Sequence, residues 1–372
     1  MPGKNSSQKN NDISDVRRKI DRIDTDIIRL LHERIDQARE IGRLKGKENL
    51  STWDPGRERE IFERLEKLNK DKFPAQSVRS IFHEIISTCR ASQKQVSIAY
   101  LGPKGTFSHL AGIEYFGQSA AFRATETIED VFLEVERERT SFGIVPVENS
   151  IEGAVTSTLD GFLAHDVMIS GEMNLAIRHN LVNLSGSLDP VKMVVSHPQP
   201  LAQCRQWLKK NLADVPTRAV FSTAQAAEMA AADDSIAAIA SSLALKTYGL
   251  QSVVSGIEDY SGNATRFLVI GKNSPQPSGR DKTSLLIALI DRPGALYDTL
   301  AVLAAHQVNL TRIESRPVKG EPGNYLFFLD MLGHIKEGKI AAACEALRSK
   351  TATFKWLGSY PCVPDSVRND KG

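Results

Sequence analysis

The sequence has few of the features that assign a protein to a class directly. Its 372 residues include only four cysteines, which are too scattered for a zinc site or a disulfide framework, so we expect free thiols in a reducing cytoplasm. No window of about 18 apolar residues occurs, which argues against a membrane-spanning helix. The charge is nearly balanced, with 47 Lys and Arg against 45 Asp and Glu, so a bulk electrostatic case for nucleic-acid binding fails.

What is present is the composition of a soluble globular protein, with 41% hydrophobic and 25% charged residues. This length predicts two or three domains of about 100–200 residues each. The polar residues 1–11 contain no apolar stretch and predict a disordered tail without a signal peptide. The remaining chain divides into segments 12–94, 95–272 and 283–362, with a linker rich in Gly, Pro and Ser at 273–282 and a second tail at 363–372.

Residues 12–94 carry the pattern of three helices. Apolar residues recur at three- and four-residue steps from Ile13 to Leu44, which predicts one amphipathic helix of about 50 Å. Asp54 with Pro55 predicts the start of a second helix, and Pro74 that of a third. Three such helices cannot enclose a core by themselves, so the pattern predicts an intertwined dimer.

Charged and polar residues recur on the helix faces of this segment. Arg34 and Lys45 fall within about 20° of one face, whereas Arg17 lies about 100° round the helix and would serve a different pocket, plausibly the partner's. Two smaller groups share a face at i, i+3 or i+4 spacing, namely Asp54, Arg57 and Glu58 on the second helix and Cys89 and Gln93 on the third. From spacing alone, a solvated charged surface remains the alternative.

The same charged motifs resemble the all-helical chorismate mutase family. They are the run Arg17–Asp24, Glu33-Arg34, Gly42-Arg43-x-Lys45 and Asp54-Pro55-x-Arg57-Glu58. The resemblance implies the following contacts with chorismate: its two carboxylates with Arg34 and the partner's Arg17, with Arg57 nearby; its ring hydroxyl with Asp54 and Glu58; its breaking ether oxygen with Lys45 and Gln93. Cys89 stands where several members have Ser.

The chemistry implied by this resemblance suits arginine and lysine. A Claisen rearrangement of chorismate to prephenate needs no nucleophile and no acid–base relay. It needs a flexible dianion held in a reactive conformation and donors where the ether oxygen gains charge. Arginines supply bidentate carboxylate contacts and lysine a point charge, so we expect neither a cofactor nor a metal.

Residues 95–272 repeat a pattern of an apolar strand followed by a polar turn. The first is Val96–Tyr100, followed by the Gly-rich turn Leu101–Ser108, a weak signal for anion binding at a helix start. Further polar turns begin at Glu148, Ser196, Ser222 and Ser241. Repeated strand-then-turn units predict two α/β lobes with a cleft between them, as in periplasmic binding proteins.

The stretch Ser261–Ile270 closes this segment with turn formers, small polar residues and a buried strand. By itself this stretch could equally be an ordinary turn before a core strand. In the same way, Ser222 and Thr223 could be helix caps only, and His197 could form a structural hydrogen bond only. The blocks GPKGTFSHLA, GIVPVENSIEGAV, SHPQPLAQC and NATRFLVI together resemble the prephenate dehydratase family. That resemblance implies an essential Thr265 and a cleft lined by Glu148, Asn149, Ser196, Gln203, Arg266 and Phe267, with Thr106, Lys104 and Glu228 as lesser candidates.

Loss of carbon dioxide and hydroxide aromatises the prephenate ring, so the driving force lies in the substrate. The enzyme has to orient the ring carboxylate and assist departure of the C4 hydroxyl. Our hypothesis is that Thr265 donates a hydrogen bond to that hydroxyl, because a free threonine hydroxyl is a poor acid.

Residues 283–362 predict the order βαββαβ, which is ferredoxin-like, with a hairpin at 319–324. The motifs beginning at Asp291 and Arg312 resemble the amino-acid-binding ACT domain. The resemblance implies that phenylalanine binds between two such units, near the following residues: Gly294, Ala295, Leu296, Glu314, Ser315, Arg316 and Pro317. A domain that only packs and dimerises is the alternative.

Together the resemblances imply a multidomain bifunctional enzyme that converts chorismate to prephenate and then to phenylpyruvate, with inhibition by phenylalanine. We expect a homodimer or a higher homo-oligomer. A ligand sensor with inactive catalytic sites is the alternative from another class, and the retained arginines and Thr-Arg-Phe motif argue against it. Arogenate as the dehydratase substrate stays open.

Overall fold

The computed structural model describes residues 5–48, 53–70, 72–289, 292–317 and 325–363, with no side-chain description for 5–12. The chain divides into two compact units. The first contains most of the helical segment, and the second contains the rest of the chain from Val96, apart from residues 117–119, together with residues 55–59.

The first segment forms three helices, as predicted: α1 Asn5–Lys47, α2 Pro55–Asn69 and α3 Ala75–Gln93. The starts predicted at Pro55 and after Pro74 are confirmed. Helix α1 begins at Asn5, inside the stretch expected to be a disordered tail. The physical reason is that no glycine or proline interrupts the run from Asn5 into the amphipathic pattern, so the helix extends outward once formed.

Helix α1 packs on α3 along only part of its length, and Ala38 and Cys89 are buried there. Its apolar stripe is otherwise about half exposed in the single chain, from Ile13 at 52% to Leu44 at 50%. The described residues of the first unit therefore leave much of this apolar stripe exposed.

The middle segment contains eleven strands or strand pieces and seven helices among its described residues. In chain order they are β1 Ser97–Leu101, α4 Phe107–Phe116, β2 Ala121–Thr125, α5 Ile128–Glu136, β3 Phe142–Asn149, β4 Gly153–Ala154, α6 Thr156–Ala164, β5 Met168–Ala176, β6 Asn180–Asn183, β7 Met193–Ser196, α7 Pro198–Gln203, α8 Arg205–Asn211, β8 Thr217–Ala219, α9 Thr223–Ala232, β9 Ile236–Ala240, α10 Ser242–Tyr248 and β10 Gln251–Ser255. The last strand, β11, is Ala264–Gly271.

These strands form two sheets, which confirms the predicted two lobes. The first sheet has the order β2-β1-β3-β11-β5, with β4 paired to β3, and the second has the order β10-β6-β9-β7-β8. The chain enters the second lobe after β5 and returns as β11, antiparallel between β3 and β5. Strand β11 is buried from Phe267 to Ile270, because it lies at the interior of its sheet.

The last domain has the predicted βαββαβ order: β12 Asp281–Leu289, α11 Ala295–Ala305, β13 Leu310–Pro317, β14 Tyr325–Leu332, α12 Gly338–Arg348 and β15 Thr353–Pro361. Its sheet has the order β13-β14-β12-β15. Strand β12 begins two residues before the predicted Thr283, so part of the expected linker is strand. The predicted hairpin at 319–324 lies outside the described residues.

This sheet uses both of its faces. One face packs against α11 and α12 through residues such as Ile287, Leu303 and Leu347. The other continues the core of the first lobe of the middle segment, where Phe328 meets Phe162. At Gly358, where φ is +142°, β15 lies against the β5 backbone so closely that a Cβ would overlap the Ile169 carbonyl.

A buried polar network crosses the same contact and is centred on Arg266. Its Nη1 lies 2.6 Å from Oδ2 of the fully buried Asp330, its Nε and Nη2 approach Glu172 Oε2 within 2.8 Å, and its Nη2 donates to the Tyr360 hydroxyl at 3.2 Å. The Ser284 hydroxyl donates to Asp330 Oδ1 at 2.5 Å, so Tyr360 donates to Ser284. Burial would lower the pKa of Arg266, but Asp330 and Glu172 hold that pKa well above its ordinary value.

Replacing Asp330 with Ala should therefore destabilise the second unit strongly. The substitution leaves the buried Arg266 short of one of its two carboxylates, and breaking such a pair costs about 3–5 kcal/mol in the free energy of unfolding. Ser284→Ala is the matched control, since it removes a hydrogen bond to the same carboxylate and the acceptor of the Tyr360 hydroxyl without unpairing a charge, at a smaller cost of about 1–3 kcal/mol. Urea unfolding followed by tryptophan fluorescence measures both, and equal losses would contradict the prediction.

None of the four cysteines forms a disulfide in the described part of the chain. No helix of that part is long and apolar enough to cross a membrane.

Candidate functional site

In the first unit, helices α1 and α3 bring several of the predicted mutase residues together. Arg34 Nη1 lies 2.7 Å from Cys89 Sγ. One helical turn past Ala38, Gly42 approaches Gln93 so closely that a Cβ would lie 2.7 Å from the Gln93 Cβ. Gln93 Oε1 is buried without a hydrogen-bond partner among the described residues. Arg34, Cys89 and Gln93 thus lie in a polar cluster where α1 packs on α3.

The other predicted mutase residues lie further along α1 and at the start of α2. Arg17 precedes Arg34 by 17 residues along the same helix, which is about 25 Å. Lys45 lies three residues beyond Gly42 on α1. Asp54 comes directly before α2, and the other two predicted residues, Arg57 and Glu58, lie in its first turn.

In the second unit, a cavity of about 590 Å³ lies between the two lobes of the middle segment. The first lobe lines it with residues that include Thr106, Asn149, Thr265 and Phe267, and the second lobe with residues that include Gln203 and Thr223. The predicted cleft is therefore present, and five of the predicted cleft residues line it: Thr106, Asn149, Gln203, Thr265 and Phe267.

The hydroxyl of Thr265 is oriented by Asn149, its partner in the register of β11 and β3. Asn149 Oδ1 accepts hydrogen bonds from the backbone N–H groups of Ile151 at 3.0 Å and Glu152 at 3.2 Å. The amide N–H₂ must then face β11, where it donates to Thr265 Oγ1 at 2.9 Å and to Asn263 Oδ1 at 2.9 Å. Since Thr265 Oγ1 accepts this bond, its own proton is left to donate into the cavity.

A second polar chain continues from Asn263 toward the other lobe. Asn263 Nδ2 donates to Gln203 Oε1 at 3.1 Å, and His179 Nε2 lies 2.7 Å from the same oxygen. An amide oxygen only accepts, so His179 carries its proton on Nε2. Gln203 Nε2 and His179 Nδ1 have no hydrogen-bond partner among the described residues.

The cavity lining contains no lysine or arginine among the residues the structure describes. Three helices of eight or more residues begin at it instead, namely α4, α6 and α9. The hydroxyls of Thr106 and Ser222 cap two of them, accepting from His109 N at 3.3 Å and from Gln225 N at 3.0 Å. The capping interpretation of Ser222 is therefore confirmed. Helix starts present N–H groups and partial positive charge, which suits an anionic ligand.

Three predicted cleft residues lie elsewhere. Ser196 is fully buried and donates to Ile239 O at 2.7 Å, so its hydroxyl joins β7 to β9. Arg266 and Glu148 are paired across β11 and β3 on the face opposite Thr265, because side chains alternate along a strand. Both line a second, polar cavity of about 670 Å³ that faces the last domain, where Glu148 Oε2 lies 3.1 Å from Arg312 Nε.

Sequence reasoning did not single out two residues of this hydrogen-bond network, Asn263 and His179. Asn263 could have been found, because it precedes Thr265 by two residues and so shares its side of the extended chain. His179 lies in the crossover before β6, and nothing in its sequence neighbourhood places it beside Gln203. Only the return of β11 to the first sheet brings these residues together.

His179 should make the stability of the second unit depend on pH. Burial lowers the pKa of His179, and the hydrogen bond to Gln203 and the charge of Glu258 offset this only in part. The unfolded chain, with a histidine pKa of about 6.5, then binds the proton more readily, so stability falls as the pH is lowered through and below that value. Thermal unfolding of His179→Gln should show a flatter pH dependence below about pH 6.5, and an unchanged slope would contradict this.

In the last domain, the residues predicted to bind phenylalanine lie in two places. Gly294, with φ +83°, immediately precedes α11, whose first residues are Ala295 and Leu296. Glu314, Ser315, Arg316 and Pro317 form the end of β13. Alternation along β13 turns Arg316 toward the first lobe of the middle segment, where it pairs with Asp160.

Family models match all three segments. Residues 16–94 match chorismate mutase type II, residues 98–275 match prephenate dehydratase, and residues 283–348 match the ACT domain. A bifunctional chorismate mutase/prephenate dehydratase of Aquifex aeolicus is 48% identical over 354 residues, which are 94% of this chain and 98% of that protein.

Solved structures match the second unit. Prephenate dehydratase from Arthrobacter aurescens, in complex with L-Phe, covers 72% of this chain and 90% of its own length with a TM-score of 0.67 and 32% identity. GqqA, described as a novel type of quorum-quenching acylase, matches the same share with a TM-score of 0.66 and 29% identity, so this architecture also occurs in a protein described by another activity. The full-length match, with helical, two-lobed and ACT segments in one order, decides between them: the chain belongs to the family of bifunctional chorismate mutase/prephenate dehydratases.

Proposed function

We propose that the interlobe cavity holds prephenate and that Thr265 donates a hydrogen bond to its departing C4 hydroxyl. The observation that supports this most is the bond from Asn149 to Thr265 Oγ1, since it leaves the threonine proton directed into the cavity. A positioned donor acts where charge develops as the carbon–oxygen bond breaks, which is where hydrogen bonding lowers a barrier most.

The carboxylates of prephenate would be held by backbone N–H groups and not by cationic side chains. The cavity lining offers the starts of α4, α6 and α9, together with the unpartnered Gln203 Nε2. An ion pair with the ring carboxylate would stabilise its negative charge and so oppose its loss as carbon dioxide. Backbone dipoles hold the carboxylate without such an ion pair. Neutral His179 would supply an acceptor and not a charge.

For the mutase, we propose that one active site combines Arg34, Lys45, Gln93 and the α2 residues Asp54, Arg57 and Glu58 with the partner's Arg17. The distance of about 25 Å between Arg17 and Arg34 along α1 supports a site that takes these two arginines from different chains. The half-exposed apolar stripe of α1 supports an intertwined homodimer that buries it.

We also propose that phenylalanine binds the ACT domain near Gly294–Leu296 and Glu314–Pro317 and inhibits the dehydratase. The Arthrobacter relative, whose structure contains L-Phe, supports this ligand. Among the strands that the structure describes, β13 lies at the edge of its sheet, which supports a second ACT unit at that edge. A cytoplasmic location stays a prediction from the sequence.

The deciding experiment gives the purified protein chorismate alone and follows phenylpyruvate with and without phenylalanine. Phenylpyruvate that forms, and forms more slowly with phenylalanine, supports both active sites and the regulatory role. Prephenate that accumulates would leave the middle domain silent or selective for arogenate, and arogenate supplied directly separates those two. Untouched chorismate would favour a ligand sensor with inactive sites.

A further inference from the structure

Strand β13 of the ACT domain faces the segment of the dehydratase that runs along the cleft. This segment, residues 148–156, contains the end of β3, the turn, β4 and the first residue of α6. Six of its nine residues, Asn149 and 152–156, line the interlobe cavity. Alternation along β13 directs Arg312, Glu314 and Arg316 toward the dehydratase.

The first contact between them is at the start of the segment. Arg312 Nε lies 3.1 Å from Glu148 Oε2, and the Arg312 side chain is only 9% exposed. The guanidinium lies over the Phe328 ring, 5.3 Å from its centroid, which limits its freedom to move. Glu148 is followed directly by Asn149, whose amide orients the Thr265 hydroxyl. A displacement of Glu148 therefore acts on the residue next to Asn149, which orients the proposed donor Thr265.

The second contact is at the other end of the segment. Arg316 Nη1 donates to Thr156 O at 2.6 Å, and its Nη1 and Nη2 contact the two carboxylate oxygens of Asp160 at 2.5 and 2.7 Å. Such bidentate pairs impose direction as well as attraction. Thr156 begins α6 at the wall of the cavity, and Asp160 lies one turn further along the helix, away from the cavity lining.

We propose that Arg312 and Arg316 are positioning residues that carry phenylalanine binding to the dehydratase cleft by moving segment 148–156. The inference rests on the proposed regulatory site, because residues 314–317 of the same strand are those expected to contact phenylalanine. A ligand that shifts β13 cannot leave both ends of the segment in place, since each arginine is joined to it by direct polar contacts. Coupling of this kind needs a continuous physical connection. Here each connection consists of one arginine and its carboxylate partner, Arg312 with Glu148 and Arg316 with Asp160.

The neighbouring Arg266 network does not serve this role. Its charges are paired with one another, and its members Glu172, Lys282 and Asp330 lie outside residues 148–156. The network joins the ACT domain to the first lobe through residues that are not part of β13. The arginines of β13, in contrast, contact the cleft segment itself.

The test uses the full-length enzyme with Asp160→Asn, which removes the carboxylate charge at a residue outside both ligand sites. Dehydratase activity without phenylalanine should stay within about twofold of wild type, and calorimetry should still detect phenylalanine binding. Inhibition at saturating phenylalanine should weaken at least about fivefold, because coupling between sites is commonly worth 5- to 150-fold. Asp160→Glu, which retains the charge, should keep more inhibition than Asp160→Asn.

Two further variants complete the design. Arg312→Met breaks the contact at the other end of the segment and should weaken inhibition in the same way. Glu345→Gln is the matched control, since it neutralises an exposed carboxylate paired with Arg348 on α12, and it should leave inhibition unchanged.

Full inhibition of both Asp160→Asn and Arg312→Met would overturn the inference. So would loss of binding and inhibition together, because the contacts would then belong to the binding site itself. A wild-type enzyme that shows no calorimetric binding of phenylalanine would overturn the proposed regulation, and the inference with it. If the wild type binds phenylalanine and is inhibited by it, and the variants are inhibited to the same extent, the inference is overturned while the proposed regulation stands.

Discussion

Replacing Thr265 with Ala is expected to lower kcat for prephenate dehydration by about 10²–10³-fold, the usual effect of removing one donor from a developing charge. The physical reason is that Asn149 occupies the acceptor side of the hydroxyl, so the threonine proton is the group available to the departing oxygen. KM should change little, because the interaction strengthens only as the bond breaks. Steady-state kinetics with prephenate measure both constants.

Two variants separate this role from a packing role for the side chain. Thr265→Ser retains the hydroxyl and should recover most of kcat, whereas Thr265→Val keeps the shape without the donor and should resemble Ala. Mutase activity on chorismate serves as the internal control for folding. A Thr265→Val enzyme with wild-type kcat would show that the hydroxyl is not the donor.

Replacing Arg34 with Ala is expected to lower kcat/KM of the mutase by roughly 10²–10³-fold, because truncating one partner of a charged hydrogen-bonded pair costs several kcal/mol. The substitution removes the guanidinium that approaches Cys89 and, in the proposed site, would leave a substrate carboxylate unpaired. The dehydratase rate measured with prephenate should not change. Arg39→Ala is the matched control, since Arg39 is an exposed α1 residue paired with Asp36, and it should have little effect.

Mixing variants tests the shared site. If each site takes Arg34 from one chain and Arg17 from the other, heterodimers of Arg34→Ala and Arg17→Ala contain one intact site and one doubly altered site. Co-refolding equal amounts should therefore restore about a quarter of the wild-type mutase activity. Activity no higher than that of the separate variants would show that both arginines serve the same chain's site or that the chains do not exchange.

Much of the fold could be predicted from local pattern. The starts of α2 and α3, the two-lobed arrangement and the βαββαβ order of the last domain follow from periodicity, proline placement and strand-then-turn repeats. The start of α1 could not be predicted, because the polar residues before Ile13 have no apolar periodicity. Whether such residues are helical depends on the helix that follows them.

The candidate site was predicted only in part. Asn149, Gln203 and Thr265 meet at the cleft as expected, and Thr106 and Phe267 line it. Glu148, Ser196 and Arg266, which stand in the same sequence blocks, do not line the cleft. A block quoted as a unit contains residues from both faces of a strand, and only one face can line a given cavity.

By itself, the sequence determined which residue types stand at the ends of the strands, and therefore that a polar cleft would form with Thr265 in it. Only the tertiary structure decided which side of β11 faces that cleft. Because the ACT sheet covers the opposite side, Arg266 and Glu148 lie at the contact between the two domains. Alternation along a strand defines two faces from local geometry, but what covers each face depends on chain that is distant in sequence.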